Sequence, residues 1–369
     1  MRLLITTQAV DLDEPALANF HRWLLEFAKQ CESIEVICLK EGRHTMPANV
    51  HVHSLGKTTA LAPAGMIDRL RVRIGYITRF YRYMWSLRSE YDAVFVHMNP
   101  EYVILAGLWW RMQKKRIVMW YVHRQRSFML RTAVSIVDAV CTTAKESISV
   151  SSPKIAIMGH GIDVELYTAQ PPKPVDTHAP RIVSVGRITP IKNLEIIVDA
   201  LARVRARGVD AHVDLVGVPT VASDNTYQAS VRTQITKLDL VDTVSFVGAI
   251  KNADMPKVYP QYDFSINACP TGGIDKAVLE SMAAGTIPLV CNTAFRDYFG
   301  PLADDLIFEY RNADDLAHKI LALLARSDLA SVQEVLRGQA RERADVTRLI
   351  SGIMQHIYAT SDQRRGLHI

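Results

Sequence analysis

Two cations stand five residues apart in the loop Gly186-Arg-Ile-Thr-Pro-Ile-Lys192, directly after an apolar segment that is typical of a buried strand. An arginine can form two parallel hydrogen bonds to phosphate oxygens, and a lysine adds a point charge. Further along the chain, the turn Gly272-Gly273 precedes a helical pattern that contains Glu280. The free N–H groups at the start of a helix and the helix dipole favour an anion. Together the two segments predict a site for a diphosphate.

Three motifs of the second half, taken in order, resemble the nucleotide-sugar half of the family-4 retaining glycosyltransferases (glycosyl transferases group 1). They are the Gly186–Lys192 loop, the turn Phe246-Val247-Gly248 and the helix Leu279-Glu-Ser-Met-Ala-Ala-Gly285. The resemblance covers nearly the whole chain and is clearest in residues 181–300. It implies the GT-B fold, an α/β architecture in which two Rossmann-like domains face a central cleft, and a nucleotide-diphosphate sugar as the donor.

The same resemblance assigns the donor contacts. It implies that Arg187 and Lys192 hold the diphosphate and that Glu280 accepts hydrogen bonds from the ribose hydroxyls. The other donor-binding residues that we predict are Gly186, Val247, Gly248, Gly273, Ile274, Asp275, Lys276, Ala277 and Val278. No cofactor and no metal are then expected, because fixed cations and N–H dipoles can stabilise the leaving diphosphate. As alternatives, both cations could be surface residues of a strand-to-helix loop, and Glu280 could be a solvated helix carboxylate.

One position departs from the family pattern. Gly272 stands where the first Glu of a Glu-x7-Glu motif is usual, and that Glu contacts the donor sugar in the family. We hypothesise that Asp275 takes over a sugar-hydroxyl or oxocarbenium-stabilising role, which would make it catalytic, and that Lys276 adds charge near the phosphate. Asp275 could equally be the N-cap residue of the following helix.

The first half must supply the acceptor side and the remaining catalytic residue. His97 ends the apolar segment Val94-Phe-Val96, which places it at the carboxyl edge of a parallel sheet, where α/β proteins bind ligands. By resemblance it is the cleft histidine that contacts the transferred sugar. The family's Gly-Gly loop after the first strand is missing here, which indicates an unusual acceptor site. The acceptor-side residues that we predict are Asp11, His21, Arg22 and His123.

The segment Met66–Tyr91 predicts a helix with two apolar stripes. We predict that the first stripe faces the domain core: Ile67, Leu70, Ile74, Ile77, Tyr81 and Met84. We predict that the second stripe is external and edged by Arg69, Arg73 and Arg79: Val72, Tyr76, Phe80, Tyr83 and Leu87. Aromatic side chains beside arginines are typical of a helix at a membrane interface. We therefore expect an anionic membrane surface as a partner; a solvated charged face and a protein partner are the alternatives.

The charge distribution agrees with an anionic partner for the first half. Residues 1–168 contain 21 Lys and Arg against 15 Asp and Glu, whereas the remainder contains 22 against 23. Residues 103–137 contribute seven of those cations and no acidic residue. No nucleic acid is expected, because no recognised binding motif accompanies the charge. No apolar stretch approaches the roughly 20 residues that span a bilayer, so we expect a cytoplasmic protein that associates peripherally with the cytoplasmic face of the membrane.

Strand and helix patterns alternate through both halves, which is typical of parallel sheets covered on both faces. The strands that we predict in the first half are Leu3–Thr7, Ile34–Leu39, Ala93–His97, Arg116–Tyr121, Ala139–Thr143 and Lys154–Met158. Those in the second half are Ile182–Val185, Val213–Val216, Thr243–Val247, Phe264–Asn267, Pro288–Cys291 and Asp305–Phe308. We predict an N-terminal, acceptor-binding Rossmann-like domain over residues 1–168. A proline-rich linker follows over residues 169–180. The nucleotide-sugar-binding Rossmann-like domain spans residues 181–345, and residues 346–369 form a C-terminal helix that, by resemblance, packs back on the N-terminal domain.

The resemblance implies a metal-independent, retaining hexosyl- or glycosyltransferase. Its acceptor is expected to be a saccharide or a lipid-linked saccharide in cell-surface glycan or polysaccharide synthesis. Two alternatives stay open. The chain could be a non-catalytic subunit that binds a nucleotide sugar, which the missing Glu at position 272 favours. It could also be a nucleotide-sugar epimerase or a phosphorylase of the same fold, which would share the phosphate site.

Overall fold

The computed structural model describes residues 1–14, 18–58, 65–123, 127–270 and 273–359. They divide into two compact units. The first contains residues 1–159 together with the C-terminal segment that begins at Val346, and the second runs from His160 to Asp345.

The first unit is built on a sheet of seven parallel strands in the order β3-β2-β1-β4-β5-β6-β7. The strands are β1 (Arg2–Val10), β2 (Ser33–Glu41), β3 (Val50–Ser54), β4 (Ala93–His97), β5 (Arg116–Trp120), β6 (Ala139–Thr142) and β7 (Ile155–Ile157). The helices of this unit are α1 (Ala18–Gln30), α2 (Met66–Ser86), α3 (Pro100–Met112), α4 (Phe128–Ile136) and α14 (Val346–Tyr358).

Both faces of this sheet are covered, because alternate strand residues belong to different apolar clusters. Leu3, Ile5 and Phe95 pack with α1 and α14 on one face. Leu4 and Val94 pack with α2, α3 and α4 on the other. The C-terminal helix α14 therefore completes the core of the first unit.

Helix α2 has its two apolar stripes exchanged relative to the prediction. The stripe predicted to be external faces the core: Phe80 is buried, and Tyr76, Tyr83 and Leu87 are partly buried against it, although Val72 is exposed. The stripe predicted for the core is exposed apart from Met84: Ile67, Leu70, Ile74, Ile77 and Tyr81. Both stripes have helical spacing, so periodicity alone could not decide between them. The choice depends on how the C-terminal half of α2 packs on the sheet.

The second unit contains five parallel strands in the order β10-β9-β8-β11-β12. The strands are β8 (Arg181–Val185), β9 (His212–Val216), β10 (Val244–Gly248), β11 (Phe264–Asn267) and β12 (Ile287–Val290). The helices are α5 (Val164–Thr168), α6 (Leu194–Arg205), α7 (Ala222–Lys237), α8 (Met255–Val258), α9 (Lys276–Ala284), α10 (Arg296–Phe299), α11 (Ala303–Leu306), α12 (Ala313–Leu324) and α13 (Leu329–Arg343).

One strand predicted at Asp305–Phe308 is replaced by other structure. Helix α11 covers its first residues, and Ile307 forms only an isolated bridge to Val290 at the end of β12. Phe308 is nevertheless buried beside β12, and its N–H donates to the Val290 carbonyl at 2.8 Å. An apolar run this short does not distinguish a strand from a buried turn.

The proline-rich segment 169–180 lies within the second unit, whereas a linker between domains was predicted there. Its carbonyls accept hydrogen bonds from side chains of α13: Arg337 donates to the Gln170 carbonyl, and Gln333 donates to the Lys173 carbonyl. Asp263 accepts from the Asp176 N–H and forms an ion pair with Lys173 at 3.0 Å. The first unit ends instead at Gly159. A segment without helix or strand pattern can thus be fixed by its carbonyls and flanking charges.

Among the helices of the described residues, none is long and apolar enough to cross a membrane.

Candidate active site

The order of strands in the second unit reverses between β8 and β11. From β8 the chain proceeds through β9 and β10 to one edge of the sheet, then returns to β11 and continues to β12. Ligands of open α/β sheets bind at such a switch point, outside the carboxyl ends of the strands. The Gly186–Lys192 loop follows β8, and the segment leading to Asp275 follows β11. The topology therefore brings together the two segments that the sequence predicted to bind phosphate.

Three glycines at neighbouring strand ends allow the loops of this edge to pack closely. Gly186 has φ +151°, and a Cβ atom there would lie 2.9 Å from Cε of Lys192. Gly217, which follows β9, has φ +143°, and its Cβ would lie 1.8 Å from the Gly186 carbonyl oxygen. The Gly217 N–H donates to the Gly248 carbonyl at 2.8 Å. Gly217 was not among the predicted residues, although its position directly after a strand was a usable signal.

Lys192 and Asp275 form the central ion pair of the site. Lys192 Nζ lies 2.7 Å from Asp275 Oδ2, and Asn267 Nδ2 donates to the same oxygen at 2.8 Å. The other carboxylate oxygen accepts from the Ala277 N–H at 3.2 Å, so Asp275 is the N-cap residue of α9. Asn267, the last residue of β11, was missed by the sequence analysis. The side chains of Lys192 and Asp275 thus join the β8 loop to the start of α9.

The pair is stable in its charged form. Burial alone would raise the pKa of Asp275, but the charge and hydrogen bond of Lys192 and the hydrogen bond of Asn267 lower that pKa to about 2. Burial disfavours the Lys192 ammonium, but Asp275 outweighs that effect and raises the Lys192 pKa. Both side chains are therefore ionised throughout the physiological pH range.

Arg187 differs from Lys192, because no described residue holds its guanidinium group. Its side chain is exposed, and among the described residues it makes no hydrogen bond or ion pair. Its charge is close enough to Lys192 to oppose protonation of that lysine. The loop therefore offers one cation fixed by Asp275 and a second that is free to contact a ligand.

Glu280 lies on α9, one turn after Lys276, in surroundings that favour the neutral carboxyl group. Burial raises the pKa of Glu280 to about 7, although the Lys276 charge and the nearby hydroxyl groups of Tyr167 and Tyr259 oppose the shift. Burial also lowers the pKa of Lys276. Tyr167 and Tyr259 lie far from Glu280 in sequence, and no local signal could have identified them. Glu280 is the described donor-site carboxyl group whose charge changes near neutral pH.

The other predicted donor residues occupy different environments. Ile274 and Val278 are buried, so only their main-chain groups are available to a ligand, whereas Val247 is exposed. The Gly273 carbonyl accepts a hydrogen bond from Asn292 at 3.2 Å. Gly272, where the family's first Glu is missing, lies outside the described residues. Among the residues that are described, no cluster of three or more His, Cys, Asp or Glu could hold a metal ion.

In the first unit, His97 is the last residue of β4, beside β1 at the switch point of that sheet. Its Nδ1 lies 3.1 Å from the Thr7 hydroxyl, and its ring stacks on Phe20 with 3.8 Å between ring centroids. The side chain is 6% exposed. Thr7 and Phe20 thus fix the ring, and the role of His97 in contacting sugar stays a prediction.

The four predicted acceptor-side residues do not form one cluster of contacts. Asp11 is buried and forms an ion pair with Lys40 at 3.0 Å. The Nε2 atom of His21 accepts from the Thr45 N–H, and burial lowers the His21 pKa, so that ring is neutral. Asp11 thus joins the end of β1 to β2, and His21 joins α1 to the segment that follows β2.

The remaining two residues are placed differently. Arg22 forms an ion pair with the buried Glu26 at 2.9 Å on the same helix. His123 is exposed beyond the end of β5 and makes an edge contact with the Tyr121 ring. A function in acceptor binding remains a prediction for all four residues.

The sequence of the second unit matches a known family. Residues 179–326 match the model of the family described as glycosyl transferases group 1. The chain is also 32% identical, over 151 residues, to alpha-monoglucosyldiacylglycerol synthase of Streptococcus pneumoniae. That alignment covers 40% of this chain and 32% of the relative. The chain thus spans about a third of the length of the curated relatives it matches.

Solved structures resemble the chain over nearly its full length. Anabaena Alr3699/HepE in complex with UDP has a TM-score of 0.73 at 17% identity, covering 96% of this chain and 99% of that one. WaaG, a glycosyltransferase involved in lipopolysaccharide biosynthesis, has a TM-score of 0.65 at 12% identity, covering 97% and 100%. At these identities the likeness establishes the fold. The predicted GT-B fold is confirmed, and the predicted family is the one whose model matches residues 179–326, whereas membership of family 4 and retention stay predictions.

Proposed function

We propose that the protein is a retaining glycosyltransferase that transfers a sugar from a nucleotide-diphosphate sugar without a bound metal. The observation that carries this proposal is the pairing of a fixed and a free cation in the β8 loop. Lys192 is held by Asp275 beside the start of α9, and Arg187 is exposed with no partner among the described residues. Two cations and the N–H groups of a helix start suit a diphosphate leaving group.

The proposed reaction begins with the donor diphosphate on Arg187, Lys192 and the N-terminus of α9. As the bond between the sugar and the phosphate oxygen stretches, negative charge grows on that oxygen, and the fixed cations stabilise it. The acceptor hydroxyl attacks from the face that the diphosphate leaves, and the departing phosphate oxygen takes the hydroxyl proton. A new glycosidic bond forms as the old one breaks, so anomeric configuration is retained and no side-chain base is required.

In this proposal Asp275 positions Lys192. Its two carboxylate oxygens already accept from Lys192, Asn267 and the Ala277 N–H. Those contacts favour a role through Lys192 over direct stabilisation of an oxocarbenium ion. His97 remains our candidate for contacting the transferred sugar, because it ends β4 at a switch point, where ligands of such sheets bind.

We further propose a saccharide or lipid-linked saccharide acceptor in cell-surface glycan synthesis, at the cytoplasmic face of the membrane. Two similarities support this choice. The Streptococcus pneumoniae relative is named as the synthase of a glucosyl diacylglycerol, and WaaG takes part in lipopolysaccharide biosynthesis. The five cysteines are free thiols, which suits a reducing compartment.

A second candidate is a non-catalytic subunit that binds a nucleotide sugar. It is favoured by Gly272, which cannot supply the carboxylate that the family's first Glu provides to the donor sugar. Such a subunit would keep the cation pair and Glu280 but would not turn the donor over.

A ligand screen followed by turnover assays tests these functions. Thermal stability would be measured with UDP-, GDP- and ADP-sugars for the natural protein, for Arg187→Ala and for the matched control Arg207→Ala, which removes an exposed arginine after α6. We expect a rise in melting temperature that Arg187→Ala abolishes and Arg207→Ala retains, together with slow donor hydrolysis. Binding without hydrolysis or transfer to lipid acceptors would favour the binding subunit. Interconversion of the free donor would favour an epimerase.

A further inference from the structure

Helix α2 exposes an apolar stripe that no described residue covers. Ile67, Leu70 and Ile74 are 67%, 57% and 53% exposed, and Ile77 and Tyr81 continue the stripe at helical spacing. Every residue from 66 to 74 is exposed, so the N-terminal half of α2 projects beyond the core. The C-terminal half is anchored by the buried Phe80 and Met84. The stripe is therefore separate from the apolar face that holds α2 to its sheet.

The stripe continues across the neighbouring helix α3. The Tyr81 hydroxyl donates to the Leu105 carbonyl at 2.9 Å, and the rings of Trp85 and Trp109 lie 6.1 Å apart. Apolar side chains of α3 next to these contacts are exposed, as are two at the start of α4: Ile104, Leu108, Met112, Phe128 and Met129. Helix α4 packs on α3, since a Cβ atom on Gly107 would lie 2.6 Å from Cγ2 of Ile136. We call these exposed side chains of α2, α3 and α4 the apolar face.

The charges around the apolar face are almost all positive. Residues 66–89 contain six arginines and one acidic residue, Asp68, which lies 3.9 Å from Arg71. On α3 and α4, Arg111 and Arg131 are exposed, with Arg111 ion-paired to Asp138, and Glu101 at the start of α3 is an exposed acidic residue. Exposed apolar and aromatic side chains edged by arginines match the interface of an anionic bilayer, where acyl chains receive the apolar groups and lipid headgroups pair with the cations.

We propose that the apolar face binds the surface of an anionic lipid bilayer, with α2 lying in the interface. A second copy of this chain fits less well, because two such faces would bring their arginines together. Other proteins rich in carboxylates would match the charge but offer no apolar layer of comparable extent. The surface is argued from its own residues and does not depend on the proposed transferase activity.

Vesicle sedimentation of the full chain tests this inference without any sugar donor. We expect the natural protein to sediment with vesicles made of equal parts phosphatidylglycerol and phosphatidylcholine, and to bind phosphatidylcholine vesicles far more weakly. The variant Ile67→Ser/Leu70→Ser/Ile74→Ser should bind about tenfold more weakly or worse, because its side chains no longer bury apolar area. The exposed positions make the substitution compatible with folding, which the circular dichroism melting curve would verify.

Control variants elsewhere on the surface test whether vesicle binding depends on the apolar face itself. Leu238→Ser/Val241→Ser/Val335→Ser removes three exposed apolar side chains of the second unit and should bind vesicles like the natural protein. Arg71→Glu/Arg73→Glu should lose binding to anionic vesicles, whereas Arg207→Glu/Arg341→Glu should lose little of it. Equal binding by the natural protein and both face variants would overturn the proposal. So would the absence of vesicle binding combined with a face-dependent dimer in light scattering. Because no donor is present, failure here leaves the proposed transferase activity untouched.

Discussion

The Nζ atom of Lys192 lies 2.7 Å from Oδ2 of Asp275, across 83 residues of sequence. The cation proposed to hold the donor is thus ion-paired before any ligand arrives. An ammonium group has three donors, so Lys192 can keep Asp275 while it contacts a phosphate oxygen. The pair fixes the lysine at the start of α9 and reduces the positive charge that the diphosphate meets.

Replacing Asp275 by Asn tests whether Asp275 positions Lys192 for turnover without being needed for donor binding. Asn is also a good N-cap residue, so α9 should persist. Without the carboxylate the site is more positive, and we expect the donor to bind at least as tightly. Turnover should fall by about tenfold or more, because a mispositioned charge stabilises the transition state less well. The measurement is kcat and KM for donor hydrolysis or transfer, with the surface variant Asp242→Asn as the control. Unchanged kcat would contradict a role for Asp275.

Removing the Arg187 side chain should weaken donor binding without destabilising the fold. Arg187 is exposed and makes no hydrogen bond or ion pair among the described residues, so its loss costs little stability. Hydrogen bonds to charged groups contribute about 1.5–3 kcal/mol, which corresponds to a loss of roughly 10- to 100-fold in donor affinity. Isothermal titration of Arg187→Ala and of Arg207→Ala with the donor identified in the screen checks this. Equal affinities would remove Arg187 from the donor site.

Because the pKa of Glu280 is raised to about 7, we expect donor binding to strengthen as the pH rises through that value. Burial raises its pKa to about 7, and only the ionised form accepts both ribose hydroxyl protons. The donor should therefore bind weakly when Glu280 is protonated and reach full affinity above that pKa. Glu280→Gln should bind more weakly at high pH and lose this pH dependence. A nucleotide sugar is the appropriate ligand, since a terminal phosphate titrates itself at about pH 6. A natural protein with flat affinity across this range would contradict the assignment.

The raised pKa of Glu280 also predicts that the free energy of unfolding changes with pH. Its pKa in the folded protein, about 7, exceeds the ordinary value of 4.5, so the folded state binds the proton more tightly than the unfolded state. The contribution of Glu280 to stability is thus fully present below pH 4.5 and is lost as pH rises through about 7. Urea unfolding at several pH values should show a smaller decline over this range for Glu280→Gln than for the natural protein. If stability declined equally with pH in Glu280→Gln and in the natural protein, Glu280 would not have a raised pKa.

Gly186 should tolerate no side chain. Its φ of +151° is unfavourable for other residues, and an added Cβ would lie 2.9 Å from Lys192 Cε. We expect Gly186→Ala to lose about 1–3 kcal/mol of unfolding free energy and to displace Lys192, which weakens donor binding. Gly338→Ala is the control, because nothing lies within 4 Å of that position on α13. It should stabilise the protein by about 0.5–1 kcal/mol. Equal stabilities of the two variants would refute the packing argument.

Much of the fold could be predicted from local patterns. The predicted strands Ala93–His97 and Phe264–Asn267 match β4 and β11 to the residue. Both are short, buried on both faces and followed by turn residues, so their signal does not depend on distant contacts. The strand β3 (Val50–Ser54) was missed because its alternating Val and His residues give a weak apolar pattern.

The two segments of the candidate site were recognisable in the sequence for the same reason. The loop after β8 and the start of α9 carry local chemical signals, namely cations after a strand and glycines before a helix. The residues that contact the charged groups of these segments carry no such local signal. Asn267 beside Asp275 and Tyr167 beside Glu280 are brought there only by the packing of separate elements.

The sequence by itself determined the alternation of strands and helices, the match of residues 179–326 to a known family model and the two segments proposed to hold a diphosphate. It could do so because each depends on residue types at short spacing along the chain. The tertiary structure decided that Lys192 pairs with Asp275, that Glu280 has a pKa of about 7, and which stripe of α2 is exposed. These depend on distances and burial between residues far apart in sequence, which periodicity does not encode.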